Sequence, residues 1–468
     1  MKPIEIVSVD FFILAGITIF VYYLLAPHAQ TVWLLAISYF FYATWSLSHL
    51  AILIFFTCLN FFLAHQIEKN RSQLLFIFDI LINVGSLVTL KMLTGPYGAG
   101  LLEQIETLTL TGILLPIGFS FYVLQSISYA TDVYRGQIKA ERDFVHFALY
   151  LAYFPKILAG PIERANKFLP QLSNERVVDK NTIEQGLYLI LLGLVRKIII
   201  ADHLSLLQPA DIFSNSENYL SLERIIWLLV FAFAIYNDFA GYTSIIRGVS
   251  CLLGIQLSQN FQQPFLARSF SDFWARWHIS LSEWLRDYIF FPIRRLLMSL
   301  KWPSWTAWMI PPILTMLISG FWHGAYLALI FWGFIHGLYL IIEQGLQRFK
   351  LLPKAGFNLR LYSSLVFILT TFAWIPFNTP SVRSAGRYFL GLLPPYSASF
   401  NLLLLPDLPL LIFLSFWLDK QEQRHSDLAF PRKWSKQTQS WGIAIAIILL
   451  YLFFSTGNDI SQFVYQFF

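Results

Sequence analysis

Four apolar runs fill most of the first hundred residues, at 11–25, 31–47, 50–64 and 74–93, and the links between the first three are short and nearly uncharged. A helix needs about 17 to 20 apolar residues to cross the hydrocarbon core of a bilayer. Lipid offers no hydrogen bonds to a backbone, so a chain that repeats such runs must satisfy its peptide groups within helices. The scarcity of charge agrees: 13% of the residues are charged, against about 25% in a soluble domain. The first run lacks a small-x-small cleavage site and a second follows at once. It is therefore expected to be a membrane helix and not a signal peptide.

The basic residues cluster in loops: Lys69 and Arg71; Arg294, Arg295 and Lys301; Arg348, Lys350 and Lys354; Lys420, Arg424, Arg432, Lys433 and Lys436. The positive-inside rule puts these loops in the cytoplasm, which leaves both termini on the outer side of the inner (plasma) membrane. The net charge of +6 is thus read as loop bias and not as a nucleic-acid surface. Cys58 and Cys251 lie in apolar runs and read as packed small residues. The expected fold is all-α and polytopic, with about ten to twelve spans plus re-entrant and interfacial helices around a central cavity. No soluble domain stands apart, so residues 1–468 are expected to form one integral membrane domain in three stretches: 1–110, 111–377 and 378–468.

Costly residues interrupt the later runs. Pro155 and Lys156 break one, Arg196 and Lys197 another, and Asn237 and Asp238 a third. Broken or charged helices at membrane depth persist where they are buried in protein or line a wet cavity. The segment at 269–292 carries charges and three tryptophans, with Trp274, His278, Ser282 and Arg286 repeating every four residues. That spacing predicts an amphipathic helix, at the interface or folded into the cavity. Ser319-Gly320-Phe321-Trp322-His323-Gly324 joins two apolar runs. An ionisable histidine there is a functional-site candidate by default, and Trp322 beside it is a candidate cavity residue. His336 follows thirteen residues later. On one straight helix it would lie about 220° around from His323, so it reads as structural or cavity-lining. His278, His323 and His336 have no metal-ligand spacing, so no metal is expected.

In order and spacing, several blocks resemble the membrane-bound O-acyltransferase family, in its alginate O-acetyltransferase-like branch. They are LLPIGFSFYVLQSISYATDVYRG, YFPKILAGPIER, IYNDFAGY, FSDFWARWHISLSEWLRDYIFFP, SGFWHGAYLALIFWGFIHG and the tail FVYQFF. The resemblance implies acyl transfer across a membrane, with the histidine of the W-H-G block, His323, as catalytic residue. His278 is the family's other histidine. It would orient the donor or polarise its carbonyl; the residue-level alternative is an amphipathic anchor. Two departures stand out. The stretch 243–247 holds no second carboxylate, and Ile293-Arg294-Arg295 replaces a glycine-rich turn.

Acyl transfer to a hydroxyl needs a base, and histidine, with an unperturbed pKa of about 6.5, suits it. Asn237 and Asp238 either line the cavity or pair with a buried cation such as Arg247. Arg276 and Arg286 either meet donor phosphates or pair with Asp272 and Glu283 on their own segment. Tyr465, with Phe463 and Phe468 in the tail, is a candidate transient acyl acceptor or an aromatic anchor. No bound cofactor is expected, with acetyl-CoA as the acyl donor. The resemblance implies as acceptor an exported polysaccharide or an extracytoplasmic acetyltransferase-type partner protein that modifies it. D-alanyl transfer from a carrier protein to a cell-wall polymer, transport without chemistry, and a structural subunit of a polysaccharide synthase are the rival readings.

Overall fold

The computed structural model describes residues 3–96, 116–174, 176, 178–353, 355–393 and 407–455. These form helices, turns and loops with no strand among the described residues. The protein is an all-α polytopic membrane protein: six of the described helices are long and apolar enough to cross a bilayer, and Val9–Leu24 is a shorter apolar helix. The chain divides into two compact units. The described residues of Met1–Leu194 and Tyr242–Ser258 make one, and those of Val195–Gly241 and Gln259–Ser461 the other.

The first unit holds α1 (Val9–Leu24), α2 (Pro27–Ala43), α3 (Leu47–Asn70), α4 (Gln73–Thr94), α5 (Phe119–Tyr134), α6 (Phe144–Ala152), α7 (Ala165–Ser173) and α8 (Lys180–Leu194). Local chemistry sets several starts. Ser8, Ser46 and Ser72 each accept a first-turn N–H, and Pro27 opens α2 where its missing N–H costs nothing. Arg71, in the left-handed region at φ 50°, ends α3 one residue before the Ser72 cap, so the two helices turn back on each other. Helix α4 has an inverted pattern. Leu74, Phe78 and Leu81 are exposed, while Asp79, Asn83 and Lys91 are buried. Asn83 and Asn60 on α3 exchange side-chain hydrogen bonds, at 2.9 and 3.4 Å. In lipid the apolar atoms belong outside, and the Asn60–Asn83 pair is satisfied inside.

As expected from Pro155 and Lys156, the helix breaks there: α6 stops at Ala152, and the next stretch is buried but not helical. Lys156 donates to Gln125 Oε1 and to the Tyr150 carbonyl, which satisfies its charge within protein.

The second unit begins with π-helical turns, Val195–Asp202, and receives the first part of α9 (Ser221–Leu252). It continues with α10 (Phe270–Trp274), α11 (Ile279–Leu285), a π turn (Arg286–Phe290), α12 (Phe291–Ser299), α13 (Thr306–His323) and α14 (Leu327–Arg348). Helices α15 (Gly356–Asn378), α16 (Val382–Leu390), α17 (Asp407–His425) and α18 (Lys436–Ser455) complete it.

Helices α13 and α14 form a tight hairpin. A Cβ on Gly320 would stand 2.3 Å from the Leu329 carbonyl oxygen, and one on Gly333 would stand 2.1 Å from that of Met316. Only glycine permits backbones this close. The expectation of one amphipathic helix over 269–292 needs correction. The segment is α10, a break, α11 and a π turn. His278 takes φ 42°, in the left-handed region, and the helix cannot run through it. The four-residue repeat therefore does not put Trp274 and His278 on one face.

Candidate active site

His323 is the last residue of α13 and is 4% exposed. Among the described residues, rings that lie against it include Trp322 at 4.9 Å, Trp332 at 5.2 Å and Phe377 at 5.2 Å between centroids. Trp332 comes from α14 and Phe377 from α15, so the hairpin and its neighbour together build the box. The short link from Gly324 to Tyr326 turns the chain so that α14 returns along α13.

His278 is 1% exposed and lies edge-on to Phe239 of α9 at 4.9 Å and to Trp322 at 6.1 Å. Trp322 thus stands between the two histidines. The left-handed turn at His278 is held from below. Ile279 N–H donates to the Asn260 carbonyl at 2.9 Å, and Ser280 Oγ donates to Asn260 Oδ1 at 2.6 Å. The sequence read His278 as part of a helix; the structure makes it the residue before one, wholly inside the protein.

His336 and His323 lie on the two arms of the hairpin and share a neighbour. Both abut Trp332, at 5.0 and 5.2 Å. Reading the two on one straight helix missed this, because a turn of only a few residues reverses the chain between them.

Asn237 and Asp238 belong to a buried ionic network. Asn237 Oδ1 accepts from Arg196 at 2.9 Å, and its amide donates to Ser415 Oγ at 2.8 Å. Arg196 also meets Asp419 at 2.7 Å and Glu422 at 2.8 Å. Asp238 pairs with Lys197 at 2.8 Å, and Lys197 pairs with Asp202 at 2.7 Å. The cation expected for Asp238, Arg247, instead donates to the Leu257 carbonyl. Charges this deep need partners, and here the network ties the π turns to α9 and α17. Sequence reasoning missed Asp419 and Glu422, which sit at the end of an apolar run and gave no sign of reaching Arg196.

Arg276 pairs with Asp272 at 2.6 Å, which is the ion-pair alternative of the sequence reading. Arg286 pairs with Asp287 at 3.0 Å and lines a cavity of about 330 Å³ with Trp274, Ile279, Ser282, Thr315 and Gln344, among others. Arg276 opens instead on a second, polar cavity of about 250 Å³ that includes Gln262, Gln263 and Glu422. Tyr465, with Phe463 and Phe468, lies outside the described residues.

A helical membrane protein that buries histidines in a tryptophan box beside a cavity has the parts of an enzyme working inside a bilayer. The chain belongs to the membrane-bound O-acyltransferase family, whose profile matches residues 139–379. It is 32% identical over 400 residues to the probable alginate O-acetylase AlgI of Pseudomonas syringae pv. tomato, covering 82% of this chain and 73% of that one. It is 28% identical over 418 residues to the peptidoglycan O-acetyltransferase of Helicobacter pylori, covering 79% and 76% of the two chains. A shorter match, 27% over 212 residues, links 44% of it to 53% of the teichoic acid D-alanyltransferase of Bacillus subtilis. The protein is an O-acyltransferase and an integral membrane protein.

Proposed function

We propose that this enzyme moves an acetyl group from acetyl-CoA on the cytoplasmic side to a hydroxyl outside. The hydroxyl is that of an exported polysaccharide or of a partner protein that then acetylates one. The observation that carries this reading is His323, seated in a closed aromatic box at the end of the glycine-packed hairpin. The names of the two long-matching relatives support acetyl as the group and a polysaccharide as the destination. The match to a D-alanyltransferase covers less of the chain, which favours acetyl over D-alanyl transfer.

In this mechanism a ring nitrogen of His323 takes the proton of the acceptor hydroxyl as its oxygen attacks the thioester carbonyl. The carbon–sulfur bond breaks, the new carbon–oxygen bond remains, and the imidazolium returns its proton to the leaving thiolate. Base catalysis of this kind contributes roughly 10²–10⁴-fold. His278, across Trp322, polarises or orients the carbonyl. The rings of Trp322, Trp332 and Phe377 keep bulk water from the acyl group, which protects it from hydrolysis. In this reading Arg286, at the cavity wall, meets donor phosphates.

The test is the O-acetyl content of the cell's exported polysaccharide with wild type and with His323→Ala, at membrane levels matched by immunoblot. Loss of acetylation at equal protein supports the reading, and unchanged acetylation sinks it. Thiol release from acetyl-CoA but not from a D-alanyl carrier protein separates the two acyl groups.

A further inference from the structure

Asp79 lies outside the acyl-transfer site, in the first unit of the chain. It sits about 9 Å into the apolar helix α4 and is 0% exposed. Among the described residues neither of its carboxylate oxygens meets a hydrogen-bond partner. A charge at this depth is held only with something to balance it. The basic residue on the same buried face, Lys91, stands about 18 Å further along the axis, with Leu87 between.

The next turn of α4 adds more oxygen. The Asn83 amide donates to the Asp79 carbonyl at 2.9 Å and to Asn60 Oδ1 of α3 at 2.9 Å. Asn60 in turn donates to the Phe56 carbonyl at 2.8 Å and to Asn83 Oδ1 at 3.4 Å. A side-chain amide has two hydrogens, so both residues have spent theirs. The bonds to main-chain carbonyls also fix which end of each amide is the oxygen. What remains is acceptors alone: the Asp79 carboxylate and two amide oxygens that each keep a lone pair. Helices α3 and α4 run antiparallel about the turn at Arg71, so the pairing of Asn60 with Asn83 puts Ala64 opposite Asp79. Ala64 is fully buried and brings no polar hydrogen and little bulk. His65 beside it turns its ring to the Phe61 carbonyl, at 2.8 Å.

We propose that Asp79, Asn60 and Asn83 form a site for a small monovalent cation, sodium, which pins α3 to α4 inside the membrane. Hard cations take their ligands from carboxylate and amide oxygens. One positive charge balances the one carboxylate, whereas a divalent ion would leave a net charge in apolar surroundings. A proton would serve one pair of oxygens and leave the others bare; an ion draws on all of them. The ion steadies the helix pair and takes no part in transfer.

The test is binding of radioactive sodium to the full chain purified in detergent, with ionic strength held constant by choline chloride. Wild type is expected to show a single saturable site. Asp79→Asn, nearly the same shape without the charge, is expected to lose it. Exchange of choline for sodium should also raise the unfolding temperature of wild type and leave that of Asp79→Asn unmoved. Should Asp79→Asn fail to accumulate, Asn83→Ala decides. It keeps the carboxylate but removes one oxygen, and should weaken sodium binding about tenfold. Wild type that binds no sodium overturns the site and leaves a proton on Asp79 in its place. Either variant binding sodium as tightly as wild type overturns it too, because the ion then sits elsewhere.

Discussion

At the residue scale, the proposed mechanism gives His323 and His278 unequal parts, and substitution should separate them. His323→Ala removes the base that this mechanism uses to take and return the proton, so transfer should fall by roughly 10²–10⁴-fold, measured as acetyl incorporated per unit of immunoblotted protein. For His278 the backbone complicates a simple truncation. Its φ of 42° is a conformation that Asn tolerates several-fold better than most residues. His278→Asn should therefore keep the fold and lose rate, whereas His278→Val should also lose stability, read as a lower aggregation temperature in detergent. A His278→Val protein as stable as wild type would show that the left-handed turn is not needed. His323 could be singled out from the sequence as a candidate, since an ionisable residue between two apolar runs announces itself. The left-handed turn at His278 was not, because helical periodicity on both sides of a single break looks continuous.

At the scale of elements, two features hold the second unit around its site. The first is the hairpin. Gly333→Ala places a methyl group where the Met316 carbonyl oxygen stands, 2.1 Å away. Overpacking of this kind costs about 1–3 kcal/mol, and thermal denaturation of the solubilised protein should show it, together with reduced transfer. Gly345→Ala is the control, because nothing lies within 4 Å of its added Cβ. The second is the network on the π turns. Arg196→Met leaves Asp419 and Glu422 buried without their cation, and breaking such a pair costs about 3–5 kcal/mol. Arg196→Met should lower membrane abundance sharply. Full abundance in a quantitative immunoblot would show that the carboxylates find another partner. From sequence, Arg196, Lys197, Asn237 and Asp238 could be recognised as costly. Their partners could not, because Asp419 lies more than two hundred residues along the chain from Arg196 and no local spacing encodes that pairing.

At the scale of the whole molecule, the sequence disclosed the all-α membrane class through apolar runs alone. It also gave the sense in which the chain crosses the membrane, as an expectation drawn from loop charge. A single cysteine placed at Lys350, with Cys58 and Cys251 replaced by Ala, should react with a membrane-impermeant maleimide only after the cytoplasmic side is opened. Labelling of intact cells would reverse the assigned direction of transfer. What composition could not convey was the inverted character of α4, because a polar face turned inward and a polar face turned to solvent have the same periodicity. Nor could it convey how closely α13 and α14 approach, since a glycine in a membrane run serves packing and bending alike. That closeness bears on movement. With carbonyl oxygens of each helix lodged against glycines of the other, sliding by one residue would drive a side chain into a backbone. The hairpin is thus locked in register and cannot work as a piston. If His323 is the site of transfer, an opening that admits substrate must come from what covers the hairpin, and the stretch from Phe270 to Phe290 that packs there is broken at His278.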